Sequence, residues 1–225
     1  MTYAVKEIYF TLQGEGAHTG RQAVFLRFAG CNLWTGREED RAGALCNFCD
    51  TEFVGTDGPG GGKFKTAAKL ARAVAEEWNP SAGSHAQAWA ESRLAARSRK
   101  FVVCTGGEPL LQLDGAAVAA LHAEGFEVAV ETNGTQHPPA GLDWITVSPK
   151  AGVPIVLRHG NELKLIYPQQ GADPAQFAAL PFEHFFLQPM DGPDLDRNTD
   201  LAIRYCREHP QWRLSVQSHK YLGIP

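Results

Sequence analysis

Short apolar runs rich in valine, isoleucine and phenylalanine alternate along the chain with stretches whose apolar residues fall four apart. The runs predict strands at 23–28, 101–104, 127–130, 144–147, 162–166, 184–187 and 213–216, and the longer-period stretches predict helices between several of them. Over 66–78, Leu70, Val74 and Trp78 share one helical face behind a Thr66 cap, so this helix should lay an apolar stripe on a sheet. Segments 116–123 and 198–207 behave alike, and a further helix is expected around 89–96. Five glycines and one proline make 55–63 a loop, and 80–85 breaks the chain again. Strands alternating with helices indicate an α/β fold with a largely parallel sheet. The strand count alone does not separate a barrel from an open doubly wound sheet.

Composition narrows the picture. At 225 residues and 44% hydrophobic, residues 1–225 are expected to form a single domain with a sizeable core. Against 25 acidic residues stand 21 Lys and Arg, for a net charge of −4 without any basic block. The expected partner is therefore a small molecule and no nucleic acid. The N-terminus lacks a basic segment followed by an apolar one, and no run approaches the roughly 18 apolar residues of a membrane span. No membrane association and a cytoplasmic location are expected. Five cysteines, three of them clustered, favour metal binding over a disulfide framework. Cys104 and Cys206 lie in apolar segments and read as inert buried thiols.

Cys31, Cys46 and Cys49 are spaced C-x14-C-x2-C with no fourth thiolate near them in sequence. Thiolates select zinc or iron–sulfur clusters, and most such clusters take four cysteines, so three would leave one iron open to a ligand. The charged residues Arg37, Glu38, Glu39, Asp40 and Arg41 are expected to form a solvated excursion above that centre. After the strand at 101–104 comes Thr105-Gly106-Gly107-Glu108-Pro109. Its glycines allow close backbone approach to a ligand, and Glu108 can accept from an ammonium group. Taken alone, the same pentapeptide reads as a tight turn at a strand end.

Taken together, the three cysteines and the Gly-Gly-Glu turn resemble the motifs of the radical S-adenosylmethionine superfamily. The first two cysteines usually lie close together there, whereas fourteen residues intervene here. Tyr9-Phe10-Thr11-Leu12-Gln13-Gly14-Glu15-Gly16, Arg27-Phe28-Ala29-Gly30-Cys31-Asn32-Leu33-Trp34, Cys49-Asp50-Thr51, Glu131-Thr132-Asn133-Gly134 and Val147-Ser148-Pro149-Lys150 are similar to segments of the 7-carboxy-7-deazaguanine synthase family. Some of its members are expanded between the first two cysteines, and the resemblance runs over nearly the whole chain.

What the resemblance implies is a homodimer built on a shortened, partial TIM-like (β/α) barrel of mainly parallel strands. It implies a [4Fe-4S] cluster on Cys31, Cys46 and Cys49, reduced by an external electron donor such as flavodoxin. The cluster would cleave S-adenosylmethionine, and the resulting radical would take a hydrogen from 6-carboxy-5,6,7,8-tetrahydropterin. Ring contraction with loss of ammonia then gives 7-carboxy-7-deazaguanine, for queuosine-type 7-deazapurine biosynthesis.

The implied cofactor contacts are Glu108 and the Gly107 backbone for the ammonium, and Lys150 with Ser148 and Pro149 for the carboxylate. Phe48 would pack on the adenine beside Cys49 and Asp50, with Gln188, Pro189, Met190 and Asp191 completing the set. On the substrate side, Arg27 suits the pterin carboxylate through its planar fork. Leu12, Gln13, Gly14 and Glu15 would read the pterin edge, with Thr105 and the Pro225 carboxylate nearby. Thr51 is the implied Mg2+ position, where the ion would keep several waters, and Asp50 either coordinates or orients the loop.

The bland alternatives are a surface arginine at 27, a plain turn at 12–15, an exposed strand end at 148–150, a strand leaving the core at Pro189 and a frayed terminus. Two rival functions also stand. One is a zinc-binding module in which a histidine such as His18 closes the cysteine site. The other is a radical activating enzyme acting on a partner protein, against which Arg27, Gln13 and Glu15 favour a small acidic heterocycle.

Overall fold

The computed structural model describes residues 2–79 and 99–225, so the helix expected around 89–96 lies outside the described residues. Among the described residues nine strands form one sheet: β1 (Tyr3–Leu12), β2 (Gln22–Phe28), β3 (Gly62–Phe64), β4 (Lys100–Gly106), β5 (Phe126–Thr132), β6 (Trp144–Val147), β7 (Gly160–Tyr167), β8 (Phe182–Pro189) and β9 (Trp212–Leu214). Their order is β3-β1-β2-β4-β5-β6-β7-β8-β9. From β2 to β9 each strand pairs in parallel with the next, while β1 runs antiparallel to both β2 and β3.

That order settles the question the strand count left open. A doubly wound sheet reverses direction at a switch point, and a barrel does not. Here the parallel strands advance one way without reversal. No pairing joins β9 to β3 among the described residues, so the sheet is an open, partial barrel.

Three features depart from expectation. β1 escapes a simple two-residue alternation because its register shifts between Val5 and Glu7, which buries Lys6 along with Val5. The glycine-rich 55–63 segment, expected as loop, runs into strand β3, whose Gly62, Lys63 and Phe64 pair with Val5, Ala4 and Tyr3. The last strand ends at Leu214 rather than at 216.

Helices cover the outer face. α1 (Ala67–Glu77) starts at Thr66, whose hydroxyl accepts from Lys69 N–H at 3.2 Å, and buries Leu70, Ala71 and Val74. Leu70 and Val74 each contribute about 1.5–3 kcal/mol when fully buried, and the Ala71 methyl less. Trp78 follows, edge-on to Phe10 and Phe126 at 5.2 and 5.9 Å. α2 (Gly115–Ala123) is capped by Asp114, which accepts from Ala117 N–H at 2.9 Å. α3 (Leu195–Glu208) packs on β8 and β9, and the short α4 (Ser218–Leu222) follows β9.

Both faces of the central strands are buried. Val102, Cys104, Val128 and Val130 point to the helices, while Ala23, Phe101, Val103 and Ala129 form a separate interior cluster. Cys104 is fully enclosed and its thiol is pushed up to about 12 by burial, the inert state expected. No helix among the described residues is long and apolar enough to cross a membrane.

Candidate active site

A cavity of about 390 Å3 opens among the strands, and every strand of the sheet except β3 and β9 places a residue on its wall. At one side lie Cys31, Cys46, Phe48, Cys49, Asp50 and Thr51, brought there by the long segment that follows β2. The Cys46 and Cys49 thiols are hydrogen-bonded to each other. That bond lowers Cys49 to about 6 and holds Cys46 well above an ordinary thiol. Burial raises Cys31, whose sulfur accepts from Leu33 N–H at 3.4 Å.

The Gly106-Gly107 turn presses directly on this segment. A Cβ placed at Gly107 would fall 2.6 Å from Cys31 Cβ and nearer still to the Gly30 carbonyl oxygen, so only glycine lets the two backbones meet. Glu108 behaves differently from the expectation that it faces an ammonium group. Its side chain is fully buried and does not reach the cavity wall. The carboxylate accepts from Leu110 N–H at 3.0 Å, Thr132 Oγ1 at 2.7 Å and Asn133 N–H at 2.8 Å. On this geometry Glu108 locks the turn, and the Gly106 and Gly107 backbone forms the wall. Asn133 extends the brace by donating to Asn32 Oδ1 at 3.0 Å, next to Cys31.

Lys150 also faces the thiols. It donates to Ser148 O and Oγ at 2.7 and 2.8 Å, and burial pulls its ammonium below the usual lysine range. It has no ion-pair partner among the described residues, which suits an anionic ligand. Gln188 lines the same cavity, whereas Met190 lies on an adjoining groove that shares Phe48. Pro149, Pro189 and Asp191 lie off the cavity wall. Asp50 is paired with Lys220 Nζ at 2.7 Å and Gln217 Nε2 at 3.0 Å, and Lys220 also holds Asp191. Burial works to raise Asp50, but these partners outweigh it and leave the carboxyl below its ordinary value. Thr51 is on the cavity wall, as is Thr105.

The opposite side is polar and built around a buried lysine. Leu12, Gln13, Gly14 and Glu15 line it, continuing from β1. Lys164 of β7 donates to Glu15 and, at 3.4 Å, to Glu131, which also accepts from Gln13 Nε2 at 3.0 Å. Burial works to lower Lys164, but Glu131, Glu15 and Glu162 outweigh it and hold the ammonium charged. For Glu15, burial works upward and Lys164 reverses it, leaving the carboxyl low. Glu162 lies beneath Gly16, whose φ of +66° and missing side chain permit the contact. Tyr9 and Phe25 stack at 5.6 Å, an aromatic surface suited to a planar ring.

Arg27 also lines the cavity, and only 16% of its side chain is exposed, so it is not a surface residue. Its Nε donates to Glu7 at 2.7 Å and Nη2 to Tyr9 at 3.0 Å; Nη1 has no partner among the described residues. Pro225 reaches the wall, where its carbonyl oxygen accepts from Thr11 Oγ1 at 2.8 Å.

His18 is nowhere near the cysteines. It packs on Phe101 and Trp144 at 4.9 and 4.3 Å, by the amino ends of β4 and β6. Among the described residues no three His, Cys, Asp or Glu side chains, the three cysteines included, are already gathered around one metal position. With His18 packed on Phe101 and Trp144, it does not supply the ligand that a closed zinc site would need.

No family model matches the chain. It is 62% identical over 225 residues to 7-carboxy-7-deazaguanine synthase of Caulobacter vibrioides and 61% identical to that of Bordetella pertussis, covering 100% of each chain. The chain belongs to the 7-carboxy-7-deazaguanine synthase family. The crystal structure of QueE from Escherichia coli matches with a TM-score of 0.66 at 27% identity, covering 97% of this chain and 95% of that one.

This is a family of radical S-adenosylmethionine lyases, which use that cofactor with a [4Fe-4S] cluster. The residues present fit both groups. Among the described residues, three thiols share one wall without a fourth protein ligand, and a desolvated lysine without a carboxylate partner stands beside them. Lys164, Tyr9, His219 and Lys220 also line the site and were not singled out from the sequence. A lysine and a glutamate alternating with apolar residues inside β7 were the one legible signal among them.

Proposed function

We propose that this chain converts 6-carboxy-5,6,7,8-tetrahydropterin to 7-carboxy-7-deazaguanine with loss of ammonia, in 7-deazapurine biosynthesis of the queuosine type. The observation that carries this reading is one cavity with thiols and a desolvated lysine on one side and a carboxylate–amide edge with an arginine on the other. When bound, the cluster and S-adenosylmethionine supply hydrogen-abstracting one-electron chemistry. Cys31, Cys46 and Cys49 hold the cluster, and Lys150 with Ser148 takes the cofactor carboxylate. The Gly106 and Gly107 backbone receives its ammonium, and Phe48, with Gln188 and Met190 nearby, borders the adenine.

On the other side, Arg27 offers its free Nη1 to the pterin carboxylate. Gln13, Glu15 and Glu131 accept from or donate to the polar pterin edge, while Tyr9 and Phe25 support the ring face. Thr51 supplies a magnesium ligand, the remaining oxygens coming from water and substrate. The chain acts as a single-domain subunit of a cytoplasmic homodimer and takes electrons from an external donor such as flavodoxin.

The test is titration of the reconstituted full chain with 6-carboxypterin, with and without Mg2+. Saturable binding tightened by Mg2+ is expected. Absence of binding under both conditions overturns the substrate and favours a partner-protein target.

A further inference from the structure

The segment between the first two cysteines is only partly the solvated excursion its charges suggest. Glu38, Glu39 and Asp40 are exposed, but Arg41 folds back onto the cysteine turn. Its Nη1 donates to the carbonyls of both Asn47 and Cys49 at 3.0 Å, the two residues that flank Phe48. Its Nε pairs with Glu38 at 2.8 Å, and its guanidinium carbon lies 4.2 Å from the centre of the Trp34 ring. Trp34 is itself buried, edge-on to Phe53 at 5.6 Å, with its indole N–H donating to Arg37 O at 3.1 Å. Leu45 N–H donates to Leu33 O at 3.2 Å and closes the base of the segment. The inserted residues thus stay exposed or half-buried and are anchored through Trp34, and what they deliver is one guanidinium laid across the backbone between two cysteines.

We propose that Arg41 is a positioning residue that clamps the 46–49 turn in its ligand-presenting shape, and that the fourteen-residue spacing serves to bring it there. The inference rests on the reading that these cysteines hold a cluster. A planar fork is needed because the same group must bridge two carbonyls, pair with a carboxylate and stack on an indole. A lysine at 41 cannot meet all four contacts from a single ammonium.

The experiment compares full-length wild type, Arg41→Ala, Arg41→Lys and Arg37→Ala. Each apoprotein is alkylated with a thiol reagent and followed by peptide mass spectrometry, with thermal unfolding in parallel. Each is then reconstituted anaerobically, and iron, sulfide and the electron paramagnetic resonance signal of the reduced cluster are measured. Loss of the carbonyl bonds is expected to speed labelling of Cys46 and Cys49 roughly tenfold, with Cys104 still protected and the unfolding midpoint nearly unchanged. Arg41→Ala and Arg41→Lys should both take up less cluster, and Arg37→Ala should match wild type. Wild-type labelling and cluster content in Arg41→Ala overturns the clamp. So does full rescue by lysine, or labelling of Cys104 in step with the other thiols. Differential labelling in a wild type that takes up no cluster leaves the clamp standing and removes the cluster reading instead.

Discussion

Replacing Lys164 with methionine keeps most of the side-chain volume but removes the ammonium that sits among Glu15, Glu131 and Glu162. Side-chain exposure is 5% at Lys164, 14% at Glu15 and 22% at Glu131, so little water is available to replace it. Breaking a buried ion pair from one side costs about 3–5 kcal/mol. The partial exposure of the two glutamates places this site at the lower end, about 3 kcal/mol at neutral pH.

The pH dependence identifies the cause. In the wild type Lys164 holds the Glu15 carboxyl below its ordinary value, so the stability it contributes is present above that value and lost as pH falls through the depressed one. Without Lys164, burial is the largest influence on Glu15 and is opposed only by Gln217 and His219, so the carboxyl moves up. The variant is then least penalised in acid and loses stability as pH rises. The deficit should therefore be small near about pH 4.5 and approach its full size by about pH 8. Urea unfolding of the full-length apoprotein across that range measures it. A deficit independent of pH, or one below about 1 kcal/mol at neutral pH, would refute the electrostatic reasoning and leave only packing.

Other substitutions probe the rest of the site. Arg27→Ala should weaken 6-carboxypterin binding by about 2 kcal/mol, roughly thirtyfold, with cluster content unchanged; calorimetric titration checks both arms, and undiminished affinity removes Arg27 from the carboxylate. Gly107→Ala should displace the Cys31 backbone, lower iron uptake and cost about 1–3 kcal/mol, read by iron analysis and thermal unfolding. Glu127 is bound by both Arg21 Nη atoms at 2.9 and 2.7 Å, which lowers its carboxyl. Glu127→Gln should thus cost about 1 kcal/mol at neutral pH and progressively less as pH falls below the carboxylate range; a difference that persists at acid pH would contradict the pairing.

Much of the sheet was legible in the sequence because its central strands are buried on both sides and read as unbroken apolar runs. Residues 101–104 and, after Glu127, 128–130 are of this kind. β1 was not, since the shift between Val5 and Glu7 interrupts its alternation and buries a lysine. β3 exists through pairing with β1, and three residues beside a glycine run carry no strand signal of their own. Direction of winding was likewise out of reach, because strand order is a tertiary fact.

At the site, the cysteines, the Gly106-Gly107 turn and Arg27 could be placed from motifs. Glu108 shows what a local pattern leaves open: an acid after two glycines suits an ammonium, and no motif announces that Leu110 and Thr132 also donate to its Oε1 and Asn133 to its Oε2. Asp50 meets Lys220 from 170 residues away, and no local pattern announces such a partner. Arg41 looked like one more solvated charge because its two carbonyl acceptors are backbone atoms.

The central claim is tested most directly by mass spectrometry of an anaerobic reaction of the reconstituted chain. The mixture contains S-adenosylmethionine, a low-potential reductant, Mg2+ and 6-carboxy-5,6,7,8-tetrahydropterin. Formation of 7-carboxy-7-deazaguanine, abolished by Cys46→Ala, is the predicted result. A fully loaded cluster that yields 5′-deoxyadenosine without that product would contradict the substrate, and one that yields neither would contradict the catalytic account itself.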